Sequence, residues 1–86
     1  MVPRRDPQVV FRRLAGEDGG VLLHLDSGSY HGVNNTGSVI WELIDGERSR
    51  DDILGEMRAR FPDAPELEKE LAEFLDGLLE RGLIAE

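Results

Sequence analysis

Cysteine is absent from this 86-residue chain, and histidine is confined to His24 and His31. Without thiols there can be no disulfide, no thiolate nucleophile and no Cys-ligated zinc, and two imidazoles leave little material for any transition-metal site. Neither a metal nor an organic cofactor is therefore expected. Long apolar runs are missing too: no stretch approaches the roughly 20 residues of a membrane-spanning helix. The opening MVPRRDPQ carries charge with no apolar segment behind it, which argues for a soluble, cytoplasmic chain with no membrane partner. Positive charge is in deficit, with 10 basic against 18 acidic side chains and a net charge of −8. That balance repels a phosphate backbone and argues against nucleic acid as a partner. Finally, 86 residues form one small domain with a modest core, too little to enclose a cofactor and a substrate together, so an enzyme is not expected.

The charge that is present is unevenly placed. Arg4, Arg5, Arg12 and Arg13 lie near the start, whereas Glu66, Glu68, Glu70, Glu73, Asp76 and Glu80 crowd the last third. Such an acidic region is either a solvated helix face or a surface that attracts a basic peptide.

Residues 1–8 hold Pro3 and Pro7 and little apolar material, and read as a flexible arm ahead of a domain at 9–86. Val9 to Leu14 and Val21 to Leu25 are β-rich runs separated by AGEDGG, in which Glu17, Asp18, Gly19 and Gly20 supply turn chemistry. A third strand, Ser29 to Val33, follows the turn Asp26-Ser27-Gly28. Three consecutive strands joined by tight turns form an antiparallel meander with two open edges. From residue 35 the apolar period changes from two to about 3.6. Val39, Ile40, Leu43 and Ile44 form one stripe, capped by Asn35 or Thr36 and closed by Gly46. Ser49-Arg50-Asp51-Asp52 resembles a capping box and opens a second helix with Ile53, Leu54, Met57 and Phe61 inward and Pro62 as its stop. The third helix, 66–81, opens with Pro65 in its first turn and carries Leu67, Leu71, Phe74, Leu75, Leu78 and Leu79. Three strands followed by three helices predict an α+β domain, and the helix pair 36–45 and 50–61 gives it the topology of a winged helix-turn-helix.

The densest polar cluster is LDSGSYHGVNNTG at 25–37, where Asp26, Ser27, Ser29, His31 and Asn34 resemble the makings of a hydrolase or carrier site. An acyl carrier protein needs its Asp-Ser at the start of a helix with an apolar residue next, whereas Gly28 follows here, and a plain β-turn accounts for all three residues. A Ser-His-Asp triad lacks any sequence sign of an oxyanion hole or strained elbow. Asn34 and Asn35 fit a strand-to-helix turn and cap. Trp41 is expected to pack across the sheet. Gly77, in mid-helix where it costs about 1 kcal/mol relative to Ala, suggests close approach of another backbone.

The stretch LDSGSYHGVNNTGSVIWELIDGERSRDDI, followed by a helix ending FLDGLLERGLI, resembles the PqqD-like family, the recognition elements for ribosomally made, modified peptides. The likeness covers roughly residues 20–84, and its most specific parts are Val33-Asn34-x-Thr36-Gly37, Asp45-Gly46 and Glu80-Arg81-Gly82-Leu83. It implies a winged helix-turn-helix that binds the leader of a precursor peptide as an added strand beside the third strand, against the third helix. Carried onto this chain, it makes Ser29, Tyr30, His31, Gly32 and Val33 the pairing edge, and Leu67, Glu70, Leu71, Phe74, Leu75 and Leu78 the source of side-chain pockets, with some of the apolar residues shared with ligand rather than all. Strict alternation from an inward Val33 would turn Tyr30 away from the helix unless a bulge at Gly32 intervenes. The family serves lasso-peptide synthesis with a separate leader peptidase, or pyrroloquinoline quinone synthesis with a radical S-adenosylmethionine enzyme. Ile40-Trp41 and Val33 resemble the lasso branch. A winged-helix regulator and an acyl carrier are the alternatives outside the family.

Overall fold

Antiparallel pairing brings three strands into one sheet. The computed structural model describes residues 2–14 and 19–86, so Glu17 and Asp18 of the first predicted turn lie outside the described residues. After β1 (Arg4–Arg5), the sheet is built from β2 (Val9–Arg13), β3 (Gly20–His24) and β4 (Tyr30–Val33), in that order and antiparallel throughout. The β3–β4 turn is the expected one. Gly28 adopts φ +74, a left-handed conformation that only glycine takes without strain. Its N–H reaches the His24 carbonyl at 2.8 Å, and the Ser27 and Ser29 hydroxyls bond each other at 2.8 Å.

Register then sorts the side chains by face. Phe11, Leu22 and His31 align across the sheet, as do Val10, Leu23 and Tyr30. The first row turns to the helices, with Leu22 fully buried, and the second to solvent, where Tyr30 is 74% exposed.

The three helices cover the inner face: α1 (Asn35–Leu43), α2 (Arg50–Arg60) and α3 (Leu67–Glu80). Asn34, rather than Asn35 or Thr36, caps α1 by accepting from the Gly37 N–H at 2.8 Å. The capping box at α2 is complete: Ser49 Oγ accepts from Asp52 N, and the Asp52 carboxylate accepts from Ser49 N. Between them, Asp45 accepts from the Arg48 and Glu47 N–H groups, which hold its carboxyl below the usual carboxylate range. Pro65 lies outside α3, whose N-cap is Glu66 with no side-chain bond. Its other end is a Schellman turn: Gly82 at φ +73 lets its N–H reach the Leu79 carbonyl and lets Leu83 N–H reach that of Leu78. Leu83 is thereby buried, and the chain is delivered into β5 (Ile84–Ala85).

The described part of the proline-bearing arm, residues 2–8, is tied to the domain rather than loose: β1 pairs with β5, Asp6 N–H reaches the Leu83 carbonyl at 3.0 Å and Pro3 is buried. Its composition hid this, since a two-residue strand depends on a partner 79 or more positions away rather than on local pattern. Among the described residues no sheet backbone approaches Gly77, where a Cβ would meet only Arg81 Nη1 at 3.6 Å, an ordinary contact.

Trp41 is 2% exposed. Arg5 lies over its ring at 5.2 Å and donates to its carbonyl at 2.7 and 3.1 Å. Around it the core gathers Leu22 from the sheet, Ile40, Leu43 and Ile44 from α1, Ile53 and Met57 from α2, four leucines of α3, and Leu83 with Ile84. The whole is an α+β winged helix-turn-helix. Among the described residues, no helix is long and apolar enough to cross a membrane.

Candidate functional site

The edge of β4 is where the sheet stops. Antiparallel pairing alternates residues that exchange hydrogen bonds with residues that do not. Because His24 N–H donates to the Ser29 carbonyl at 2.9 Å, Ser29, His31 and Val33 turn their backbone groups toward β3. Tyr30 and Gly32 therefore point their N–H and C=O groups the other way, to an edge no described strand occupies. The register runs unbroken from Tyr30 to Val33, so no bulge reverses Tyr30, whose ring lies on the outer face.

Next to this edge is an open cleft of roughly 360 Å³ between the start of α1 and the exposed side of α3. Asn34, Thr36, Gly37 and Ile40 form one wall, and Glu70, Glu73, Phe74 and Arg81 the other. The two walls meet at Gly37 and Phe74. A methyl group on Gly37 would sit 3.0 Å from Cε1 of Phe74, so the glycine lets the ring lie against α1. Asn34 is occupied as the cap of α1, which fixes the corner where β4 becomes helix.

The expected site residues divide here. Glu70 and Phe74 stand in the cleft, and His31 and Val33 are half-buried on the helix side of β4. Leu67, Leu71, Leu75 and Leu78 are 0–4% exposed and belong to the core, which needs them because the sheet contributes only one fully buried side chain of its own. The polar cluster at 25–37 does not assemble: among the described residues no hydrogen bond joins His31 to Ser27 or Ser29, whose hydroxyls face each other. Groups of His, Asp and Glu able to hold a metal ion are absent among the described residues. Gly37, Ile40, Glu73 and Arg81 were not expected in the site. The signal for the first was present in Val33-Asn34-x-Thr36-Gly37, where a glycine in the first turn of a helix requires a reason. The i, i+3, i+4 spacing of Glu70, Glu73 and Phe74 places the acid beside the aromatic.

The model of the family described as coenzyme PQQ synthesis protein D (PqqD) matches residues 19–84. The chain belongs to the PqqD family. A PqqA binding protein of Pseudomonas savastanoi pv. phaseolicola (strain 1448A / Race 6) is 35% identical over 52 residues, 60% of this chain and 55% of that protein. The match thus spans about half the length of that relative. A PqqA binding protein of Pseudomonas putida (strain W619) is 31% identical over 75 residues, covering 87% of this chain and 80% of the relative. Among solved structures, TbiB1 in complex with the TbiA(beta) leader peptide superposes with a TM-score of 0.78 at 30% identity, over 94% of this chain and 93% of TbiB1. A lasso peptide synthetase B1 complexed with the leader peptide has a TM-score of 0.80 over all of both chains, and at 22% identity shares the fold. The PqqD-family match begins at Gly19, beside β3, and ends at Ile84, so it contains β4, the cleft and all of α3.

Proposed function

We propose that this chain binds, without catalysis, the leader segment of a ribosomally made precursor peptide as a strand added to β4. The observation that carries the reading is the open edge of β4 beside the cleft: Tyr30 and Gly32 offer two N–H and two C=O groups to an incoming strand. Main-chain hydrogen bonds contribute about 0.5–1.5 kcal/mol each net, so a full set supplies roughly 2–6 kcal/mol. Micromolar affinity needs about 8 kcal/mol, and side chains must provide the difference. Alternate residues of an added strand would enter the cleft against Phe74 and Ile40. Val33 and the Ile40-Trp41 pair favour a lasso-peptide pathway in the cytoplasm, with the held leader presented to a separate leader peptidase. The PqqA binding relatives support a second reading, delivery of a PqqA-type peptide to a radical S-adenosylmethionine enzyme.

Titrating the labelled chain with the TbiA(beta) leader and, separately, with PqqA tests both. The expected result is a shift of the Tyr30 and Gly32 amides together with resonances of Glu70, Glu73 and Phe74, with the tighter peptide indicating the branch. Shifts confined to residues 41–61, on the helix pair away from the cleft, would overturn the site.

A further inference from the structure

The cleft carries more information than shape. Glu70 and Glu73 lie one turn apart on α3, and they line the same opening as Phe74. Elsewhere on that helix, Glu68 is paired with Arg58 at 3.3 Å and Asp76 with Arg50 at 3.1 Å. Glu70 and Glu73 make no ion pair among the described residues. The basic residue on the same wall, Arg81, bonds neither of them and stands instead beside Gly77. Two carboxylates thus share one wall with a single guanidinium and form no ion pair with it among the described residues, in a protein of net charge −8. The apolar part of the lining is the Phe74 ring, Gly37 and Ile40, with Asn34 and Thr36 beside them on the α1 wall.

A lysine or arginine fits these features together. Its methylene stem can lie along Phe74 and Ile40 while the charged head reaches the carboxylates at the rim. An acidic side chain would meet two like charges, and a purely apolar one would cover them without pairing. Resting on the strand-addition reading above, we propose that the peptide bound at β4 places a basic side chain between Glu70 and Glu73, and that this contact selects among leaders. Backbone pairing along Tyr30 and Gly32 is indifferent to sequence, so discrimination falls to the inward positions of the added strand, and the carboxylates make one of them specific for a cation.

The test is a selection of displayed random 16-residue peptides on the wild-type chain and on the Glu70→Lys/Glu73→Lys variant, followed by amide mapping of the selected peptides. The expected result is enrichment of Lys or Arg at one fixed position in wild-type selections, replaced by Asp or Glu in the variant. Changing that peptide residue to Gln is expected to weaken wild-type binding about fivefold, an exposed ion pair being worth about 1 kcal/mol, and to leave binding to Glu70→Gln/Glu73→Gln unchanged. Peptides that shift Tyr30 and Gly32 without any basic preference, or whose preference survives in the variants, would overturn this inference and leave strand addition standing. Selected peptides that bind without disturbing β4 would overturn both.

Discussion

Phe74 and Leu71 lie on the same helix three residues apart, yet the fold gives them different work. Leu71 is 4% exposed and locked into the core, whereas Phe74 is half-buried with its ring against Gly37 and its free side in the cleft. Truncating each to alanine separates the two roles. Leu71→Ala removes buried methyl groups and leaves a cavity, which is expected to lower unfolding free energy by about 2–5 kcal/mol, with leader affinity unchanged wherever the protein remains folded. Phe74→Ala is expected to weaken leader binding by more than about 1 kcal/mol, roughly tenfold, at a smaller loss of stability. Urea titrations beside binding isotherms measure both. If Phe74→Ala left affinity intact, the cleft would not be where the leader's side chains go. From sequence these residues look alike, because both fit the apolar stripe of one helix. What distinguishes them is that Phe74 turns to Gly37 at the start of α1 while Leu71 turns to the core, and that depends on how distant elements pack. Gly37 belongs to the same lesson. Its place in the motif was legible, but its reason lay in a ring 37 positions along the chain.

At the scale of elements, β4 is a strand with two different edges, and proline substitution reads them apart. Proline removes one N–H and is tolerated where that N–H faces outward. The Gly32 N–H points to the open edge and bonds nothing in the sheet, and a Cβ at position 32 meets no atom within 4 Å. Gly32→Pro is therefore expected to leave the fold nearly as stable as before while lowering leader affinity at least tenfold, having removed a donor and obstructed the approach of the added strand. His31→Pro removes a bond between β3 and β4 and is expected to destabilise the sheet by about 3 kcal/mol. Melting curves and leader titrations of the two variants check the contrast, and equal behaviour of both would sink the assigned polarity of the edge. The meander and its second turn were readable from period-two runs and from Asp26-Ser27-Gly28, since those signals are local. The helix boundaries were readable to within a few residues for the same reason, with the Ser49–Asp52 box as the clearest case. Pro65 misled because proline suits both the first helical turn and the turn just before it.

Across the whole molecule the two ends of the chain meet, and neither end announces this in its composition. β1 and β5 pair through Arg4 with Ala85 and Arg5 with Ile84. Arg50 holds the same region from α2, donating to Glu86 at 2.7 Å and to Asp76 at 3.1 Å. Hydrogen bonding to Glu86 first, and then to Asp76, raises the affinity of its guanidinium for the proton. Arg5 reaches across to the Trp41 carbonyl, so the segment that looked like an appendage closes over the C-terminal end of α1, whose earlier turns line the cleft. A bond from a charged donor is worth about 1.5–3 kcal/mol when well shielded, and less at the partial exposure found here. Arg5→Ala is accordingly expected to lower unfolding free energy by about 1–2 kcal/mol. Deleting residues 1–6, which also removes Pro3 and the β1–β5 pairing, is expected to lower it by about 3 kcal/mol, a large share of the 5–15 kcal/mol typical of a small domain. Because β4 and the cleft receive no atoms from this segment, saturating leader peptide should restore much of the lost midpoint by binding the folded state alone. A truncated chain that melts like the full one would show that the clasp contributes nothing to stability; a truncated, folded chain that no longer binds leader would show that it shapes the cleft through Trp41 and Ile40.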